Sequence, residues 1–426
     1  VDEQSQLIEQ SGLAETRGAS NGLPGFLGQI TVGGWVAGSY FWNINHPTSE
    51  TNLGYPTGDG MGGTNQGLNG AFYPLHPDHN SFALDQVWFE VERPIDEENR
   101  AGFRLDTVYG KTGALLNGGG PNNRFTNLDD SSIYLHQGYV QYLAPIGDGV
   151  TFKAGKFATP FGYEVAGTIY NQNITRGNVW TLLEPIDHIG VSAGYTFGDT
   201  GFDVMGGVVN GYTPNDPDNN ESKSVIGHIG WANETLSVGV NGIYGNENTA
   251  SSENALTVIN GVVQFNPTDR LALFVNGDYA DAANNGIGKA WGVATGGRFA
   301  VTDRTGVSIR GEYVADNNNF LGFCSLPNSD FVFGSADGCT SSFDEDFVAT
   351  DVKIFGITAT VDHLLTDQLM VRGEIRWDNI RHSDNTGNGE FFNGSLDDSE
   401  SDLGLKSNQV VLGAEVVYNF NKFGGE

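Results

Sequence analysis

Long apolar runs are missing from this chain of 426 residues. None approaches the roughly 20 residues that a membrane-spanning helix needs, and the mean hydropathy is -0.28. A helical membrane protein is excluded. Spanning strands are not, because each alternates lipid-facing apolar residues with polar lumen-facing ones and looks hydrophilic on average. Basic residues are also scarce, 21 against 52 acidic ones for a net charge of -31, which excludes nucleic-acid phosphates as a partner and points to cations or solvated acidic loops. Cysteine is almost absent. The two present, Cys324 and Cys339, lie in one polar stretch with no histidine between them, a pattern that favours a disulfide over a metal site and an oxidising, extracytoplasmic compartment. Such a bridge closes about 15 residues, worth about 3 kcal/mol in the chain-entropy model, and would shape a surface loop. No secretory signal is visible, and the polar start at Val1 is that expected of a mature, processed chain.

Glycine is plentiful, at 61 residues, and aromatics make up 11%. Short alternating segments recur from Ile30–Trp42 to Val410–Phe420, each near the 9 to 11 residues of a tilted spanning strand. About sixteen can be counted. Short connections (94–99, 145–147, 198–200, 266–269, 302–304) take turns with long ones (44–80, 111–131, 158–186, 317–349, 382–406). All long connections then lie at one end of a barrel, the end that faces outside in outer-membrane proteins.

Alternation alone also fits a soluble sandwich. The aromatics separate the two. Tyr109, Tyr212, Tyr244, Tyr279, Tyr313 and Trp377, read as lipid-facing, precede long loops, whereas Phe197, Phe265, Phe299 and Phe420 precede short turns or the end. Two belts at headgroup depth suit a membrane and have no cause in a sandwich. The expected fold is all-β, a transmembrane antiparallel up-and-down β-barrel with long extracellular loops and short periplasmic turns. It occupies 28–420, after a non-alternating segment (1–27, a polar tail in the periplasm or an insert in the lumen) and before a tail (421–426).

The run Gly155, Lys156, Phe157, Ala158, Thr159, Pro160, Phe161, Gly162, Tyr163, Glu164 resembles a signature of the OmpL-like family of bacterial outer-membrane β-barrel porins. Asn171, Asn173, Arg176, Pro185, His188 and Gly190 follow in order, then Asn210, Gly211, Tyr212, Asp218, Asn219, Asn220 and Lys223. The matching region spans about 150 to 230. Family membership implies a porin and says little of its substrate; the tail after Phe420 departs from barrels that end on the aromatic itself.

A ring of this size leaves an aqueous channel unless something folds inside. The connection 158–186 is the candidate, with Phe161, Ile169, Trp180 and Leu182 as anchors and Glu164, Asn171, Asn173 and Arg176 as the polar lining of a constriction. Across from it, the fifteenth strand turns Arg372, Glu374, Arg376 and Asp378 inward; Arg104 with Asp106 and Arg310 with Glu312 repeat the pattern. Such rows either tune ion selectivity or pair to brace the wall. Acidic loops (Asp330, Asp337, Asp344–Asp346; Asp397, Asp398, Glu400, Asp402) predict a mild cation preference. Asp216, Asp218, Asn219 and Asn220 lack the register of a calcium loop, and His76 and His79 are too few for a metal centre. No cofactor is expected. The partners expected are outer-membrane lipid and lipopolysaccharide, small hydrophilic solutes and ions, with a homo-trimer as one assembly. The chain does not read as an enzyme, because no serine, histidine and aspartate converge legibly; a structural or adhesive barrel with a plugged lumen is the alternative.

Overall fold

The computed structural model describes residues 29–45, 75–76, 79–116, 133–212, 218, 221–247, 255–282, 288–317, 351–382 and 408–421. The strands are β1 (Thr31–Asn43), β2 (Ser81–Arg93), β3 (Ala101–Tyr109), β4 (Ile133–Ala144), β5 (Val150–Ala158), β6 (Asp187–Thr196), β7 (Phe202–Val209) and β8 (Ser224–Ala232). They continue as β9 (Leu236–Asn246), β10 (Ala255–Thr268), β11 (Leu271–Asp281), β12 (Lys289–Thr302), β13 (Thr305–Asn317), β14 (Asp351–Leu364), β15 (Leu369–His382) and β16 (Asn408–Asn419). Each pairs antiparallel with its sequence neighbours, and β1 pairs with β16, so the sheet closes as a barrel. Closure leaves no unpaired edge, the condition for strands to sit in hydrocarbon.

Period two decides which residue meets lipid. In β11, Leu273 and Val275 are 38% and 47% exposed on the outer face, while Phe274, Asn276 and Asp278 between them are buried inside. The short turns are closed by side-chain acceptors. Asn233 Oδ1 accepts the amides of Thr235 and Leu236 at 2.9 and 2.8 Å, and Asp96 Oδ1 accepts those of Asn99 and Glu98 at 2.5 and 2.8 Å. The Asn99 amide leads in holding the Asp96 carboxyl below its ordinary value.

The aromatic belts differ from expectation at one position. Tyr244, Tyr279, Phe197, Phe265, Phe299 and Phe420 are exposed on the outside, but Tyr212 is buried in the apolar cluster inside the barrel. It lies past the end of β7, where the Asn210 amide still bonds to Ile189 O, so strand alternation no longer sets its direction. The disulfide expected at Cys324 and Cys339, the acidic loops at 330–346 and 397–402, residues 1–27, Asp216, Asn219 and Asn220 lie outside the described residues.

Ile375 sits on the outer face between the two belts, 49% exposed. Ile375→Arg is expected to destabilise the barrel, by less than the about 2–4 kcal/mol that arginine costs at the bilayer midplane because Trp377 of the belt is two residues away, measured by denaturant titration of folding into phospholipid vesicles.

Candidate functional site

The chain leaves β5 at Ala158 and re-enters the wall at Asp187. Between these residues it runs inside the barrel, and nearly every side chain from Thr159 to Pro185 is buried. Its entry is tied by His188, whose ring nitrogens lie 3.2 Å from Gly211 O and 3.1 Å from Thr159 Oγ1. Gly162 follows at φ 82°, and a Cβ there would lie 1.6 Å from the Glu184 carboxylate. Only glycine fits both the conformation and the contact. Tyr163 then stacks on Phe274 of β11, centroids 3.9 Å apart.

A buried loop without a strand partner must still satisfy its amides and carbonyls. A short 3₁₀ turn (Thr168–Tyr170) and the helix α2 (Asn178–Leu183) satisfy some; a shorter helix, α1 (Lys111–Leu116), follows β3 at the rim. The wall supplies most of the rest. Arg372 Nη1 donates to Asn171 O at 2.9 Å, Arg310 Nη1 to Thr175 O at 2.7 Å and Arg376 Nη1 to Arg176 O at 2.6 Å. In the opposite sense, Glu374 accepts the amides of Ile174 and Thr175 at 2.6 and 3.1 Å. The guanidiniums are charge-balanced on the wall: Arg310 by Glu312 at 3.0 Å, Arg376 by Asp378 at 2.9 Å and Arg372 by Glu415.

The wall charges therefore do not face the loop across water; they hold it. Of the four residues expected at the constriction, Glu164 accepts from Arg310 at 2.6 Å and from the Gly177 amide at 2.7 Å. Asn173 donates to Thr360 Oγ1 at 2.7 Å. Asn171 and Arg176 brace the loop itself. Asn171 Nδ2 donates to Val165 O and Gly167 O, and Arg176 spreads its guanidinium over the carbonyls of Val165, Ile174 and Ala166 at 2.6 to 2.9 Å. Arg104 and Asp106 pair at 2.9 Å and form a separate group with Glu90, which accepts from Tyr170 OH at 3.0 Å. Sequence reasoning missed Glu415, Gln86 and Asn260. Gln86 Oε1 accepts the Thr168 amide at 3.0 Å and Asn260 Oδ1 that of Gly162 at 3.1 Å. Their inward parity was the available signal.

At the loop's exit, Glu184 takes a hydrogen bond from Asn276 Nδ2 at 2.5 Å, and the same amide reaches Asp278 at 3.1 Å. Burial first, and Asp278 second, push the Glu184 carboxyl well above its ordinary value. The folded chain thus holds this proton more tightly than the unfolded one. Its contribution to stability is complete below the ordinary glutamate range and is lost as pH rises through the elevated folded value. The melting temperature of Glu184→Gln is expected to gain on wild type as pH rises; parallel melting curves from acid to alkaline pH would refute this.

The clamp yields a second expectation. Arg372→Gln with Arg376→Gln leaves Glu415 and Asp378 buried without their partners, about 3–5 kcal/mol for each broken pair. Hydrogen exchange should speed in residues 159–185 before it does in the strands.

Several solved barrels share this architecture. OprB of Pseudomonas putida matches with a TM-score of 0.55 at 13% identity, over 92% of this chain and 94% of its own. The outer membrane channel DcaP of Acinetobacter baumannii gives 0.53 at 10% identity, over 92% and 97%. An anion-selective porin from Comamonas acidovorans gives 0.52 at 12%, over 92% and 99%. At these identities the likeness is one of fold. No curated protein sequence matches the chain. The barrel is that of an integral outer-membrane protein. Over residues 29–420 it matches the family described as "Putative beta-barrel porin-2, OmpL-like", and the chain belongs to that family.

Proposed function

We propose that this protein is a porin whose water-filled channel passes small hydrophilic solutes and ions by passive diffusion, with the loop 158–186 setting its bore. The observation that carries this reading is the clamp. A segment held at mid-barrel by three wall arginines and Glu374 is a built constriction, since an outward loop would need no such partners. Glu164, Asn171, Asn173 and Arg176 then define the narrow part indirectly, by fixing where the loop runs. The net charge of -31 supports a mild cation preference; the porin of similar fold from Comamonas acidovorans is anion-selective, and at 12% identity that property does not carry over to this chain. A homo-trimer surrounded by outer-membrane lipid and lipopolysaccharide completes the reading.

One observation favours a second reading, a structural or adhesive barrel with a closed lumen. Phe161, Val179, Leu182 and Leu183 of the loop form one buried apolar cluster with Val258, Phe274, Ala294, Val314 and Ile354 of the wall, a packing that excludes water as a protein core does. A hydrolase finds no such support. Ser39, His76 and Asp85 meet, but Ser39 Oγ and Asp85 Oδ1 both approach the same nitrogen, His76 Nδ1, at 3.5 and 3.4 Å. A relay needs the two on opposite ring nitrogens.

Purified protein in planar bilayers should give stepwise conductance and a reversal potential of cation-selective sign in a salt gradient. The Arg372→Gln, Arg376→Gln variant should show larger or noisier steps. Absence of current from the wild type, with current restored in the variant, would establish the closed barrel instead.

A further inference from the structure

The outer face carries a feature that channel function does not use. Lys353 on β14 and Arg381 on β15 are direct cross-strand partners, and both are exposed on the face shared by Phe355, Ile357, Ile375 and Trp377. Like charges set opposite each other in a sheet are destabilising unless an anion lies between them. Three of the other exposed cations have one: Lys289 pairs with Asp281 at 2.9 Å, Lys223 with Asp218 and Arg304 with Asp367 at 3.0 Å. Arg270 at a periplasmic turn has none among the described residues, but it has no cation opposite it. Among the described residues neither Lys353 nor Arg381 forms an ion pair. Instead, Arg381 is aimed. Its Nε donates to Asn379 Oδ1 at 3.1 Å, and its guanidinium lies 5.7 Å from the centroid of the Phe355 ring. Among the described residues this leaves its two terminal nitrogens able to fork an anion, the geometry that suits phosphate.

The height of the pair identifies the anion. Trp377, on the outer face of β15, belongs to the aromatic belt at headgroup depth, and Arg381 lies four residues farther toward the extracellular end of the same strand. Lys353 lies four residues beyond Ile357, the cross-strand partner of Trp377. With about 3.3 Å per residue and a tilt near 40°, both cations stand roughly 10 Å outside the belt. That is the layer of the phosphorylated sugars of the outer-leaflet glycolipid. We propose that Lys353 and Arg381 form a binding site for a phosphate of the lipid A moiety of lipopolysaccharide, seated on the outer wall at β14 and β15. The site rests on the outer-membrane placement of the barrel and is independent of whether its lumen conducts. A chain with a net charge of -31 would otherwise repel that glycolipid, so two cations at its depth that have no ion pair among the described residues supply the local attraction.

The test uses the full chain, folded in detergent micelles and mixed with bisphosphorylated lipid A, dephosphorylated lipid A or phosphatidylglycerol, with bound lipid counted by native mass spectrometry. Wild type should retain bisphosphorylated lipid A, and Lys353→Gln with Arg381→Gln should bind it about tenfold or more weakly, as expected for losing two interfacial cations. Lys353→Arg should retain binding, and so should Lys289→Gln. Gel mobility before and after heating verifies that each variant has folded. Equal retention by wild type and the double variant would overturn the site. Equal retention of the dephosphorylated form, or of phosphatidylglycerol, would overturn the assignment to lipid A phosphate. Bilayer conductance measured on the same preparations separates the two proposals: current unchanged by the double variant goes with a lipid site, and its absence in wild type bears on the channel alone.

Discussion

A stretch of polypeptide inside a barrel has no neighbouring strand to hydrogen-bond with, and this constraint organises the interior. Each buried carbonyl or amide left without a partner would be destabilising by about 1–3 kcal/mol. The inner wall answers with long donors where the loop presents carbonyls (Arg310, Arg372, Arg376) and with a carboxylate where it presents amides (Glu374). Each wall arginine keeps a carboxylate beside it, so none of the three guanidiniums is left uncompensated in the low-dielectric interior. The loop meets this partway by folding its own Asn171 and Arg176 back onto its backbone.

The division of the interior into polar and apolar parts follows from the same constraint. The polar clamp occupies the wall from β13 to β16, while α2 presents Val179, Leu182 and Leu183 to an apolar cluster that includes Val258, Ala294 and Val314. Burial of those side chains contributes the non-directional part of the loop's attachment, and the arginines contribute its register. One without the other would leave the loop bound but free to slide, or placed but weakly held.

Most of the fold was legible because strand parity is a local property. A charged residue at lipid depth is so unfavourable that Arg372, Glu374, Arg376 and Asp378 had to point inward whatever the rest of the chain did. The alternation of short and long connections likewise needed no distant information. The purpose of the inward charges was not legible, because it depends on where residues about two hundred positions earlier run. Arg372 and Asn171 are 201 apart in sequence, and no periodicity links them. Tyr212 shows the limit from the other side: three residues past the last pair of β7, at Val209, parity ceases to mean anything. Gln86, Asn260 and Glu415 were on the correct face but had nothing to mark them among other inward polar residues.

The seam between β1 and β16 has a consequence in time. Asn43 Nδ2 donates to Gln409 Oε1 at 2.7 Å across 366 positions, and the ladder beneath it pairs Trp35 with Asn419. No partial chain can form that seam, so the first strand waits, unpaired, for the last to be synthesised and delivered. Contacts of such separation form slowly, and until they do the apolar outer faces of all the strands remain open to water and to one another. A chain built this way needs escort through the aqueous compartment before it reaches its bilayer, and its assembly ends with the meeting of its two ends.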